Sequence, residues 1–298
     1  MTIIAISAIL TLQNTSRAII LSAEQYSQLY IWAAVALPVV LAGAFGNILT
    51  LIVILRARWY ATGIQVLILK LTVCEVLTTC IIYPLLIIGT LVADVSLWQI
   101  PGVCQLMAYL FYSITCTIPL MCAMIAVNQF CLIVLPGLTR GTTQRAGGIM
   151  MISLSFTISL LTFAIPLSGI DGRFGLIEPI NICVWQHWTA SQTFQTGFIL
   201  LIYVIPGGTI ATCYVFIFLF IRLRRCTCVP LQAGRVLCRL IQTTKTMGLT
   251  FLVYAICYLP LNLMAWASVH KFVEPHSTVY AWLLLLYISS DCLHPVWQ

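Results

Sequence analysis

Residues 104–136 read CQLMAYLFYSITCTIPLMCAMIAVNQFCLIVLP, a run without one formally charged side chain. It is longer than the roughly 20 apolar residues that cross a bilayer core, so it is expected to be a tilted membrane-spanning helix that projects at both ends. A cysteine opens it, the polar triplet Asn128-Gln129-Phe130 lies near its far end, and Pro136 follows six residues after that triplet.

The rest of the chain has the same character. Hydrophobic residues make up 61%, charged residues only 7%, and the mean hydropathy is +1.06. Soluble domains carry about 25% charged residues, so the composition is that of a polytopic membrane protein. Apolar runs bounded by charges or turn residues lie at 30–55, 64–92, 104–135, 147–169, 194–221, 243–269 and 278–297. The expected fold is an all-α bundle of seven transmembrane helices over residues 30–298, preceded by a short segment at 1–29. An odd number of spans puts the two chain ends on opposite faces.

Lys and Arg accumulate in short cytoplasmic loops, which sets the orientation. Arg56 and Arg58 follow the first span, Arg140 and Arg145 the third; Arg222, Arg224, Arg225, Arg235, Arg239 and Lys245 separate the fifth and sixth. The other side holds only Arg17, Arg173 and Lys271, beside Glu24, Asp94, Asp171, Glu178 and Glu274. The N-terminal segment is therefore extracellular. The net charge of +7 belongs to the inner face, where it suits anionic lipid and an acidic or phosphorylated partner. Positive charge divided among short loops gives no nucleic-acid surface.

Polar residues inside the spans carry most of the functional information. Residues 3–12 form an apolar run without the basic flank of a signal peptide, and the sequon at Asn14 is open to glycosylation or left unused. Asn47 in the first span needs an interhelical partner. Glu75 in the second, with Asp291 and His294 in the last, places ionisable groups in hydrocarbon, where they mark function. Lys70 is expected to snorkel to the inner headgroups. Pro206 and Tyr214 lie eight residues apart in the fifth span, and Pro260 breaks the sixth, making a kink about which its inner half can swing.

In order and spacing these features resemble rhodopsin-like G-protein-coupled receptors. Gly46-Asn47 resembles that family's first-helix motif, Leu71 to Leu77 its Leu-Ala-x-Ala-Asp, and Tyr254 to Pro260 its Phe-x-x-Cys-Trp-x-Pro. Asn128-Gln129-Phe130 stands where the family has Asp-Arg-Tyr, and His294-Pro295 where it has Asn-Pro. Cys257 to Asn262 and Asn128 to Cys131 are similar to melatonin-receptor-like and invertebrate orphan sequences. The resemblance implies a plasma-membrane receptor that passes an extracellular ligand signal to a heterotrimeric G protein. It also implies a disulfide between Cys104 and Cys183, both expected outside, where disulfides persist. Asn128, Gln129, Phe130, Tyr214, Pro260 and Pro295 are then the activation and coupling residues.

Departures from the family pattern narrow this. Phe111 stands where amine receptors have aspartate, and Ile288 where opsins have the retinal lysine, so neither a biogenic amine nor retinal is the expected ligand. Phe111, Tyr112, Phe198, Tyr258 and Tyr287 are candidates to line an apolar outer pocket, or to pack against lipid and one another. Glu75 and Asp291 are expected to face each other and either hold a sodium ion or share a proton. The family's sodium pocket draws on a helix-three hydroxyl, and Ile118 in that place argues against sodium as a cofactor. Gln129 removes the arginine of the coupling triplet. Together with the altered helix-seven motif and the absence of an eighth helix before Gln298, it leaves open a receptor that folds without ordinary signalling, or a sequence cut short. Glu75, Asp291 and His294 could alternatively form an ion or proton path, although no internal repeat supports a transporter. Hydrolase chemistry has no histidine partner for His294, since His187, His270 and His276 fall in outer loops.

Overall fold

The computed structural model describes residues 23–57, 63–91, 100–135, 145–177, 182–224, 248–249, 252–253, 255–264 and 278–293. Hydrocarbon offers backbone N–H and C=O groups no partner, so each apolar run must satisfy them internally and coils into a helix. Helix α1 is Ala23–Arg56. Helix α2 runs through Gly63–Leu77, a π-helical turn at Thr78–Ile82, and Tyr83–Leu91. Helices α3 and α4 are Val103–Val134 and Arg145–Ser168. Helix α5 comprises Gln192–Ile199, a second π turn at Leu200–Val204, and Ile205–Arg224. Helix α6 is described over Ala255–Met264, and α7 is Thr278–Leu293. The first five are long and apolar enough to span a membrane, and the described parts of α6 and α7 are shorter apolar helices. The result is an all-α seven-helix bundle. Its first helix begins at Ala23, ahead of the apolar run at 30, because helical backbone continues past the hydrocarbon edge. Asn14, His294 and Pro295 lie outside the described residues.

Up-and-down alternation puts Arg56, Arg145 and Arg222 at one end of the bundle and the start of α3 at the other. There Cys104 is bonded to Cys183, their Cα atoms 5.3 Å apart. Cys183 belongs to an antiparallel hairpin of β1 (Phe174–Ile177) and β2 (Ile182–Trp185), with Phe174 opposite Trp185 and Leu176 opposite Cys183. Side chains alternate along a strand, so these four share one face. That face meets the bundle, where Phe174, Cys183 and Trp185 are buried. Trp185 lies 4.9 Å from Phe198 and 6.0 Å from Phe163, ring centre to ring centre, and Phe174 stacks 6.1 Å from Tyr112. The hairpin thus seats an aromatic plug between the outer ends of α3, α4 and α5. A second tie holds the entry to α5: the backbone N–H and hydroxyl of Ser191 both donate to Asp171, at 2.6 and 2.5 Å. These bonds hold the exposed Asp171 carboxyl below its ordinary range, so the tie persists at neutral pH and is lost only as pH falls through that lowered value.

Helices approach closely where side chains are absent. A Cβ on Gly148 of α4 would stand 2.6 Å from the carbonyl oxygen of Gly63 at the start of α2. One on Gly43 of α1 would stand 2.5 Å from Cys292 Cβ in α7. Backbone-to-backbone contact of this kind is how membrane helices gain packing in a solvent that supplies no hydrophobic drive. Gly148→Val should therefore force α2 and α4 apart and destabilise the fold by about 1–3 kcal/mol. Gly197→Ala, whose new Cβ meets nothing within 4 Å, should leave stability unchanged or slightly raised. Thermal midpoints of the detergent-solubilised variants check both outcomes.

Candidate functional site

Asp291 lies in the last described turns of α7 and is 2% exposed. A carboxyl group in hydrocarbon needs hydrogen-bond donors, and helices α2 and α6 supply them. The Tyr83 hydroxyl donates to Asp291 Oδ2. The Tyr258 hydroxyl donates to Oδ1 at 3.1 Å, and Ser290 Oγ lies 3.4 Å from the same oxygen. Asn47 Nδ2 of α1 donates to the Asp291 backbone carbonyl at 3.3 Å, one turn beyond the close contact at Gly43. One residue of α7 thus gathers α1, α2 and α6.

Tyr83 reaches this place because of a proline. Pro84 has no N–H, and its ring would collide with the carbonyl four residues earlier in a regular helix. Widening the preceding turn relieves the collision, and the Tyr83 N–H accordingly bonds to Thr78 O, five residues back. Along an α-helix, Tyr83 would point about 80° away from Glu75, eight residues earlier; the extra residue in the π turn takes about 100° back and sets it on nearly the same face. The hydroxyls of Thr78 and Thr79 both donate to the Glu75 backbone carbonyl, at 3.0 and 2.6 Å, which steadies the turn.

Glu75 is itself 2% exposed, so both carboxyls lie inside the bundle and neither faces lipid. Asp291 receives the two tyrosine hydroxyls, and Ile118 is buried on α3. Among the described residues no group of three or more His, Cys, Asp and Glu side chains is arranged to hold a metal ion.

The five candidate pocket residues divide between two layers. Tyr112 and Phe198 belong to the aromatic plug beneath the hairpin, and Phe111 meets Tyr112 edge-on at 5.0 Å. Tyr258 and Tyr287 lie deeper, their rings 3.9 Å apart, beside Asp291. At the inner end, Phe130 and Tyr214 share a small cluster with Ile210 and Cys213, and Phe130 contacts Phe216 edge-on at 6.2 Å. Asn128 and Gln129 are buried. Neither the amide nitrogen nor the amide oxygen of Gln129 has a hydrogen-bond partner among the described residues. Pro260 lies in α6 two residues after Tyr258, so the helix lacks one backbone hydrogen bond next to the residue that Asp291 holds. Sequence reasoning missed Tyr83 and the plug residues Phe163, Phe174 and Trp185. Pro84 was the available signal for the first; the two short strands at 174–177 and 182–185 carry no polar–apolar alternation that would have marked the others.

A bundle of seven helices with this disulfide, hairpin and buried polar centre defines a membrane receptor architecture, and the comparisons with known proteins agree. Residues 46–297 match the model of the 7 transmembrane receptor (rhodopsin family), and the chain belongs to that family. It is a multi-pass protein of the plasma membrane and a receptor, not an enzyme. Among its relatives, melatonin receptor type 1B-A of Danio rerio is 24% identical over 225 residues, covering 74% of this chain and 76% of the relative. Neuropeptide Y receptor type 6 of Mus musculus is 25% identical over 279 residues, covering 87% and 73%.

Hydrogen bonds to a charged group contribute about 1.5–3 kcal/mol, and a buried acceptor left without its donor costs a similar amount. Tyr83→Phe keeps the ring and removes the donor, so it should lower stability by about 1–3 kcal/mol. Tyr30→Phe, at a position 60% exposed, should not. A thiol-reactive dye reports both unfolding midpoints, because Cys74, Cys257 and Cys292 are free and buried.

Proposed function

We propose that this receptor binds an extracellular ligand at the outer ends of its helices and transmits the change to a heterotrimeric G protein. The observation that carries the reading is Tyr258. This one side chain of α6 packs against the tilted ring of Tyr287, below the outer aromatic layer, and is held by Asp291 on α7. A ligand that shifts Tyr287 or the plug above it alters the contacts of Tyr258, and Pro260 lets the inner half of α6 move in response. Binding acts by favouring one of two arrangements, by as much as the ligand's affinities for them differ. The inner cavity so opened lies between α3, α5 and α6, beside Phe130 and Tyr214.

The ligand is neither a biogenic amine nor retinal. Phe111 offers an ammonium group no carboxylate, and Ile288, fully buried in the core, offers an aldehyde no amine.

Coupling is weak or atypical. Asn128 and Gln129 are neutral and form no ion-pair lock, and an amide lacks the reach and the five donors of a guanidinium. A buried amide without partners costs about 1–3 kcal/mol, a penalty that a partner inserted at the inner end would relieve. Expressed with several Gα subtypes at matched surface levels, the wild type should give little G-protein activation and Gln129→Arg should give more. Robust wild-type activation left unaltered by the substitution would show that the triplet does not limit signalling.

A further inference from the structure

The described residues contain a cleft of about 480 Å³ between α5 and α6, floored by Pro119 of α3. Its size falls within the roughly 300–1,000 Å³ of small-molecule sites. It exists because two adjacent helices are both disturbed at this level. In α5 the π turn at Leu200–Val204 absorbs Pro206 as the earlier one absorbs Pro84, with the Ile205 N–H bonding to Leu200 O. Gly207 follows, and a Cβ there would meet nothing within 4 Å. In α6, Pro260 bends the facing backbone.

The mouth of the cleft faces the bilayer. Val204 and Leu263 are each 54% exposed and Leu259 is 57% exposed, all within spans whose surroundings are hydrocarbon. Among the described residues no charged side chain lines it. A charged ligand would be desolvated there without a counter-ion, so the occupant is neutral. The lining is nevertheless not uniformly apolar. Asn262, one of the lining residues, donates its amide nitrogen to the Tyr258 carbonyl at 2.8 Å, which leaves its amide oxygen as an acceptor. That oxygen is a polar atom at the wall of an otherwise greasy slot, suited to a single donor such as a hydroxyl. Along α5 the cleft runs from Ile199 to Ile210, about 17 Å at the helical rise of 1.5 Å per residue, which suits an elongated body.

We propose that this cleft is a binding site for an uncharged, membrane-partitioned amphiphile, an elongated apolar body with one hydroxyl end directed at Asn262, which enters sideways from the bilayer. The site is distinct from the extracellular one. Its inner wall is Tyr258, the side chain that Asp291 holds, so occupancy bears directly on the contact between α6 and α7. The proposal rests on the membrane-spanning arrangement alone and does not require G-protein coupling.

The test uses the full chain in phosphatidylcholine nanodiscs and, as probe, a long-chain primary alcohol bearing a mid-chain diazirine and a terminal alkyne. After illumination, adducts mapped by mass spectrometry should concentrate in residues 199–210 and 255–263. Excess unlabelled alcohol should reduce them about ten-fold, the change expected for saturable occupancy. Gly207→Leu and Leu259→Trp fill the cleft from opposite walls, and each should abolish the competable labelling while retaining the Cys104–Cys183 disulfide and the wild-type thermal midpoint. Leu219→Trp, on the lipid face of α5 beyond the cleft, should not. A probe without the hydroxyl should label less, and Asn262→Leu should erase that difference. Labelling spread evenly over lipid-facing positions such as Phe45, Leu161 and Val215, without competition, would mean bulk lipid contact only and would overturn the proposal. Competable labelling that maps elsewhere, or that survives both filling substitutions in folded protein, would overturn it equally.

Discussion

A carboxyl group placed in hydrocarbon must be given hydrogen-bond donors, and much of this bundle is arranged around meeting that need for Asp291. The donors come from Tyr83 on α2 and Tyr258 on α6, while Asn47 on α1 secures the backbone of the same residue. Because the three partners belong to different helices, Asp291 fixes their rotation and depth as well as their proximity. The close contact of Gly43 with Cys292 brings α1 near enough for Asn47 to reach, and the Trp32 indole closes the same seam further out by donating to the Ala281 carbonyl at 2.6 Å.

Prolines set the geometry on which this depends. Pro84 and Pro206 each follow a π turn that widens the helix and swings the next residues round its axis. In α2 the swing brings Tyr83 inward to Asp291. In α5 the same device opens the helix towards α6 and, with Gly207, leaves a slot facing the bilayer. Pro260 then weakens α6 beside Tyr258, so the residue held by Asp291 sits next to the point about which its helix bends. The restraint and the flexibility occupy neighbouring positions, as a two-state helix requires.

Much of this was legible in the sequence, and the gaps have physical causes. Apolar runs bounded by charges or turn residues gave the spans closely, because hydrocarbon selects apolar side chains regardless of tertiary detail; 104–135 became Val103–Val134. The disulfide followed from a family resemblance and two extracellular cysteines. Asp291 and Asn47 were legible as polar residues needing partners, but the partners themselves were not. Tyr83 was missed because regular periodicity points it elsewhere, and only the π turn turns it inward. Tyr258 and Tyr287 were expected among outer pocket residues because aromatic character alone does not give depth. The paired strands at 174–177 and 182–185 were hidden by their brevity, since two four-residue strands give little periodic signal beside the long helices.

The central claim is that the hydroxyl of Tyr258 and the carboxyl of Asp291 act as one unit joining α6 to α7. A double-mutant cycle on the thermal midpoint, with Tyr258→Phe, Asp291→Asn and both together in the same nanodiscs, tests this most directly. The account predicts a double variant destabilised clearly less than the sum of the two single changes, since either one already breaks the contact. Shifts that simply add would contradict it, showing that the two side chains are neighbours without being partners.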